Sequence, residues 1–224
     1  MAKKILEFKD VTRQFVQAGE TIVALQETTL SIAAGELVAV IGPSGSGKST
    51  FLTIAGGLQS PTSGTVRING SDITNLSEKE RSRLRLHEVG FVLQASNLVP
   101  YLTVEQQLLL IDRVLKRRQP AEARTELLSE LGIESRRANY PEELSGGERQ
   151  RAAIAKVLYG QSSLILADEP TASLDTKRAY EVVSLLAKET RTRKTATIMV
   201  THDERPIEYC DTVYEMRDGV LKKR

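Results

Sequence analysis

The sequence predicts an α/β fold built on a mainly parallel sheet, and two observations carry that prediction. Short, almost wholly apolar runs at residues 36–42, 164–168 and 196–203 read as strands buried on both faces, with helical patterns between them. The first run ends in a glycine-rich loop, GPSGSGKST at residues 42–50, which leads straight into a helical stretch.

Taken in order, apolar or alternating runs at 5–11, 21–32 and 65–70 predict an early antiparallel β subdomain. ELVAVIG at 36–42 is a compact strand, and KSTFLTIAGGL at 48–58 continues from its loop as a helix. From about residue 96 to residue 147 the pattern turns mostly helical. VEQQLLLIDRVLKRR at 104–118 and AEARTELLSELG at 121–132 carry apolar residues near a 3.6 spacing. LILAD at 164–168 and ATIMVTHD at 196–203 return to strand, with a helix near 177–191 between them. The expectation is one domain over residues 1–224: a core of about 1–95 and 148–224, and an inserted helical lobe at about 96–147.

Composition narrows the function classes. A chain of 224 residues can bury a sizeable core, and 31 basic against 29 acidic residues leave a net charge of only +2. That balance gives no reason to expect a nucleic-acid partner, and the short basic runs at 116–118, 191–194 and 222–224 read as solvated faces. Cys210 is the single cysteine, so no internal disulfide can form. The N-terminal residues lack the apolar stretch of a secretory signal, and no run approaches the roughly 20 apolar residues of a membrane helix. The expected location is cytoplasmic, and work at a membrane would need a separate spanning partner.

The loop at 42–50 fits G-x-x-x-x-G-K-[ST] in the required strand–turn–helix setting. Gly42, Pro43, Ser44, Gly45, Ser46, Gly47, Lys48, Ser49 and Thr50 would close backbone N–H groups around a phosphate. Lys48 would reach the β- and γ-phosphates, and Ser49 would ligate Mg²⁺. With this motif the expected fold is a P-loop NTPase (RecA-like) core with a mainly parallel sheet, an N-terminal antiparallel β subdomain and an inserted helical lobe. At the end of the buried run 164–168, Asp168 would support the metal, directly or through water. Glu169, one residue on, would orient and deprotonate an attacking water. Gln94, after the apolar residues 90–93, offers a neutral side chain to metal or water. His202, beyond the strand at 198–200, is placed to hydrogen-bond a γ-phosphate. A second anion-binding turn, Ser145-Gly146-Gly147-Glu148, opens another helix.

The loop at 42–50, Gln94, LSGGE at 144–148, LILADEP at 164–170, SLD at 173–175 and His202 occur in the order found in ABC-type ATPase subunits, and the chain resembles that family over nearly its whole length. The resemblance implies ATP and Mg²⁺ as cofactors and a head-to-tail homodimer. In such a pair Ser145, Gly146, Gly147 and Glu148 of one subunit complete the ATP site on the phosphate loop of the other. It places Asp175 at the same interface. Phe15 stands where the family has an aromatic that stacks on adenine, although an early-strand Phe also reads as core. The resemblance further implies an integral-membrane permease docking near residues 94–102, with Leu98, Val99, Pro100, Tyr101 and Leu102 as candidates; the same apolar stretch would also pack the lobe. The subunit would then sit at the cytoplasmic face of the membrane.

Within the family, GGLQSPTSGTV at 56–66, SNLVPYLTVEQQL at 96–108, ILADEPTASLD at 165–175 and THDERPIEYCDTVYEMRDG at 201–219 resemble the MacB-like and lipoprotein-releasing group, and most of all haem-exporting systems. The expected function is therefore an ATP-hydrolysing motor that drives a permease exporting haem. The alternatives are antimicrobial peptide or lipoprotein efflux, and a cell-division-type ATPase that transmits force without moving solute. A DNA-repair ATPase is disfavoured, because only 97 residues separate Lys48 from Ser145 and no cysteine pair lies between them.

Overall fold

The computed structural model describes residues 3–17, 19–172 and 174–224. The chain opens with a long hairpin, β1 (Lys4–Gln17) and β2 (Glu20–Ala33), and enters the central strand β3 (Leu37–Ile41). Helix α1 (Lys48–Ala55) follows, then β4 (Ser63–Ile68), the two-residue β5 (Ser71–Asp72), α2 (Glu78–Glu88) and β6 (Val89–Val92). Helices α3 (Val104–Val114), α4 (Ala121–Glu130) and α5 (Gly146–Gly160) come next, with short 3-10 turns at Glu134–Arg136 and Pro141–Glu143. β7 (Leu164–Asp168), α6 (Thr176–Arg193), β8 (Ala196–Thr201), a 3-10 turn at Arg205–Tyr209, β9 (Thr212–Arg217) and β10 (Val220–Lys223) complete the fold.

The strands form two sheets. The first is antiparallel in the order β2-β1-β4-β5, which bears out the early β subdomain. The second runs β10-β9-β3-β8-β7-β6, parallel throughout except for the antiparallel β10 edge. Its inner strands are apolar on both faces, and alternation divides their side chains between two cores. Val38, Val40, Leu164, Leu166, Ile198 and Val200 pack with Phe51, Leu52 and Ile54 of α1 and with Leu6, Phe8, Val66 and Ile68 of the antiparallel sheet. Leu37, Ala39, Ile165, Ala167 and Met199 face the other way, onto α3, α4, α5 and α6. The fold is thus the expected P-loop NTPase core, with helical insertions on the far side of the parallel sheet.

Several boundaries differ from the sequence expectation for local reasons. The helix starting at Lys48 stops at Ala55, not 58, because Gly57 takes a left-handed backbone (φ 65°). Gly56 lies so close to the Phe91 ring that a β-carbon there would collide with it. The helix at 104 ends at Val114, not 118, since Lys116 is left-handed (φ 51°). The first strand runs past 11 to Gln17, through register shifts after Phe8 and Val11. Helix α2, outside the expectations, has no fully buried residue and so no apolar stripe. It is fixed by a reciprocal cap between Ser77 and Glu80, and by Arg85 donating to Glu78 and to the Gly57 carbonyl.

Candidate functional site

Three neighbouring parallel strands, β3, β8 and β7, deliver the site at their C-terminal ends, where ligands of open α/β sheets bind. β3 leads into the loop 42–50, β7 ends in Asp168 and Glu169, and β8 ends just before His202. Residues 44–50, Asp168, Glu169 and His202 line one open cavity of about 870 Å³, with Ile22, Val23 and Ala24 of β2 and the hairpin turn Asp218–Gly219 as its other walls.

The loop is shaped by close approach. At Gly47 the backbone is left-handed (φ 106°) and a β-carbon would collide with the Ala24 carbonyl oxygen; at Gly42 it would collide with that of Met216. Gly47 caps α1 without a side chain, and the first turn of α1 carries no acidic residue, so its free N–H groups and positive dipole end are left for an anion. The Lys48 ammonium folds back over the loop and donates to the carbonyls of Gly42 and Pro43, each at 2.8 Å.

Glu169 has a left-handed backbone (φ 47°), rare for a side chain of its kind and held by its N–H donating to the Val200 carbonyl at 2.9 Å. Its carboxylate is gripped at both oxygens. Oε1 lies 3.0 Å from His202 Nδ1; Oε2 accepts from the Thr201 hydroxyl at 3.1 Å and from the His202 backbone N–H at 3.4 Å. Burial, and then the charge of Glu169, push the Asp168 carboxyl above its ordinary range, while Lys48 pulls it down. The carboxylate of Asp168 and the hydroxyl of Ser49 are hard oxygen donors that suit Mg²⁺. Among the described residues no group of three or more His, Cys, Asp or Glu side chains forms a metal cage, so a bound Mg²⁺ would share its remaining positions with phosphate and water.

Not every expected residue joins this cavity. Gln94 is exposed, two residues beyond β6, and is not among the cavity walls. Phe15 is half-buried on β1 with the Arg13 guanidinium 4.5 Å from its ring centroid; its cross-strand partner Ile22 is a wall residue. Gly42 and Pro43 contribute carbonyls to Lys48 and do not line the cavity. The second anion-binding turn, Ser145-Gly146-Gly147-Glu148 or signature turn, also lies outside the walls. Exposed Ser145 caps α5, its hydroxyl accepting from Glu148 N–H at 3.3 Å while Glu148 accepts from Ser145 N–H at 2.8 Å. The Ser145 N–H and then the Arg136 guanidinium, 2.9 Å away, hold the Glu148 carboxyl down to about 2. Gly147 packs under the Arg178 stem, whereas among the described residues a β-carbon on Gly146 would meet only Leu174, at 3.8 Å. Asp175 is exposed and caps α6 by accepting from Arg178 N–H at 3.0 Å. Ser173, the first residue of SLD, lies outside the described residues.

Sequence reasoning missed Thr201 and the walls from β2 and the Asp218 turn. Thr201 was marked only by its position directly before His202, and the walls come from elements whose pairing sets their place.

Residues 25–172 match the family of ABC transporters. Relatives named putative hemin import ATP-binding protein HrtA include those of Staphylococcus haemolyticus, 42% identical over 97% of this chain and 99% of theirs, and of Staphylococcus aureus strain MRSA252, 42% identical over 96% and 98%. The solved dimeric structure of MJ0796, a bacterial ABC transporter cassette, superposes with a TM-score of 0.85 at 36% identity, covering 98% of each chain. A post-hydrolysis state of the same cassette, bound to ADP and Pi, gives 0.84. The relatives' names overturn one expectation: they read import, where haem export was expected. Among the described residues no helix is long and apolar enough to cross a membrane. With a phosphate loop, paired carboxylates and this kinship, the chain belongs to the ABC transporter family as an ATP-binding, ATP-hydrolysing subunit.

Proposed function

We propose that this chain is the ATPase motor of a hemin-transporting ABC system and works as a head-to-tail pair with two composite ATP sites. The observation that carries the catalytic part is the double grip on Glu169 at the cavity of the phosphate loop. Lys48 leaves the carbonyls of Gly42 and Pro43 to meet the β- and γ-phosphates, which the N–H groups of residues 44–50 cradle. Glu169, fixed by Thr201 and His202, orients the attacking water and takes its proton. His202 keeps Nδ1 toward Glu169 and offers Nε2 to the γ-phosphate. Ser49, Asp168 and, from the loop after β6, Gln94 would hold Mg²⁺, which neutralises charge on the β- and γ-oxygens. A Phe15 ring covered on one face by Arg13 keeps the other for adenine.

The pairing is supported by Gly146. Glycine is among the poorer helix formers, yet among the described residues no contact requires glycine there. Close approach of a phosphate held by the partner does. Ser145, Gly147 and Glu148 then complete the partner's site, and Asp175, next to the Leu174 that a β-carbon on Gly146 would meet, lies on the same surface. The dimeric cassette of similar fold supports this arrangement.

The division into a core of 1–95 and 148–224 and a lobe of 96–147 belongs to this reading, as does the MacB-like grouping. So does a separate permease docking at residues 94–102, where Leu98 packs inward and Tyr101 is 76% exposed. Hemin as cargo, and uptake as the direction, follow the relatives' names.

The test pairs a purified protein with a cell. Glu169→Gln should bind ATP, form stable dimers by light scattering and release almost no phosphate. A deletion strain given hemin as its iron source should stop growing and recover with the intact gene but not with Glu169→Gln. Wild-type turnover in the variant would remove Glu169 from its role, and higher hemin content in the deletion strain would refute uptake.

A further inference from the structure

Helix α5 joins two places that the proposed function separates. It begins at the signature turn, and 11 residues on, about 16 Å along its axis, Lys156 reaches the loop that follows Gln94. There the Lys156 ammonium donates to the Asn97 carbonyl at 2.7 Å. Among the described residues this is the one side-chain hydrogen bond between α5 and residues 94–102. Asn97 itself has a left-handed backbone (φ 46°), which Asn tolerates better than most residues.

The other side of that loop is fastened to α3. Gln107, 1% exposed, accepts from Val99 N–H at 3.1 Å and donates to the carbonyls of Val99 at 2.8 Å and Leu102 at 3.0 Å. Helix α3 packs on α5, whose far end is tied back by the Tyr159 hydroxyl donating to buried Asp112 at 2.7 Å. The loop is therefore clamped to α3 by Gln107 and tethered to α5 by Lys156.

We propose that Lys156 is a positioning residue that makes the loop at residues 95–102 and the signature turn move together, so that a permease seated on the loop and a phosphate seated on Ser145 and Gly146 each sense the other. This rests on the composite-site reading above and adds the side chain that links the two places. The bond joins a charged donor to a backbone acceptor at 2.7 Å, and charge-assisted bonds of this kind are stronger than neutral ones. The tether thus favours moving with the loop over letting go. Coupling between two binding sites is reciprocal, and a loop tied to α5 is displaced when ATP-driven closure moves that helix, even with no permease present.

That reciprocity allows a test on the subunit alone. A nitroxide is placed on Tyr101→Cys in a Glu169→Gln, Cys210→Ser background, and its mobility is compared in Mg-ATP and Mg-ADP while light scattering follows dimer formation. ATP should change the spectrum of this parent. Lys156→Met, which keeps the apolar stem and removes the donor, should dimerise yet lose the spectral change, and Lys156→Arg should restore it. Should the Met variant precipitate, Lys156→Gln, too short to reach Asn97, is read the same way. An ATP-induced change in the Met variant equal to the parent's, or a parent that dimerises with no change at all, overturns the inference. A parent that fails to dimerise in ATP sinks the composite-site reading instead, and light scattering tells the two failures apart.

Discussion

Glu148→Gln isolates one charge at the start of the signature helix. Glutamine can still accept from the Ser145 N–H, so the reciprocal cap survives. What disappears is an anion favoured by Arg136 and by the positive end of α5. The carboxyl titrates at about 2 in the folded chain against an ordinary 4.5, a difference that corresponds to at most about 3.4 kcal/mol. Arg136 is 47% exposed, so solvent screens the pair, and about 1–2 kcal/mol is expected at neutral pH. The sign follows from a depressed carboxyl: the stabilisation is complete above the unfolded value of 4.5 and drains away as pH falls toward about 2. Urea denaturation of both proteins, in steps from about pH 7 to about pH 3, should show a gap that holds down to about pH 5 and shrinks below it. A gap of the same size at every pH, or none at neutral pH, would refute the reasoning.

Three further outcomes follow from the geometry. Thr201→Val removes one charge-assisted hydrogen bond to Glu169 and should lower kcat about tenfold with little change in KM, measured by phosphate release; unchanged kcat would mean that His202 alone positions the carboxylate. Gly47→Ala places a β-carbon against the Ala24 carbonyl in a left-handed backbone that costs about 1–2 kcal/mol by itself, and should weaken binding of a fluorescent ATP analogue about tenfold or more; wild-type affinity would show that the loop has room to adjust. Tyr159→Phe leaves buried Asp112 without its closest donor and should cost about 1–3 kcal/mol in chemical denaturation, whereas a loss below about 0.5 kcal/mol would mean that the nearby Arg124 replaces it.

The parallel core was legible because β3, β7 and β8 are buried on both faces and so read as almost wholly apolar runs. The phosphate loop was legible because backbone cradling demands glycine at set spacings, and Asp168 and Glu169 because they follow such a run directly. Helix α2 left no hydrophobic trace, since its inward contacts are the guanidiniums of Arg81 and Arg85 and half-buried Leu84. Thr201 could not be ranked from the chain alone, because its value lies in a hydroxyl facing a carboxylate 32 residues away. The direction of transport was not legible for a different reason. A motor that closes on ATP has no residue required to touch the cargo, so import and export leave the same marks on its site.

The order β9-β3-β8-β7 has a consequence for the chain as it is synthesised. β3, which launches the phosphate loop, takes both of its sheet neighbours, β8 and β9, from the last third of the sequence. A ribosome adding about 5–20 residues per second needs roughly eight to thirty seconds to pass from Ile41 to Ala196. Through that interval a nascent chain carries the whole loop sequence on a strand with bare edges, and neither Thr201 nor His202 yet exists to hold Glu169. Nucleotide therefore has its complete site only when synthesis is nearly over, and from then on each bound ATP also acts as a clasp on a finished sheet.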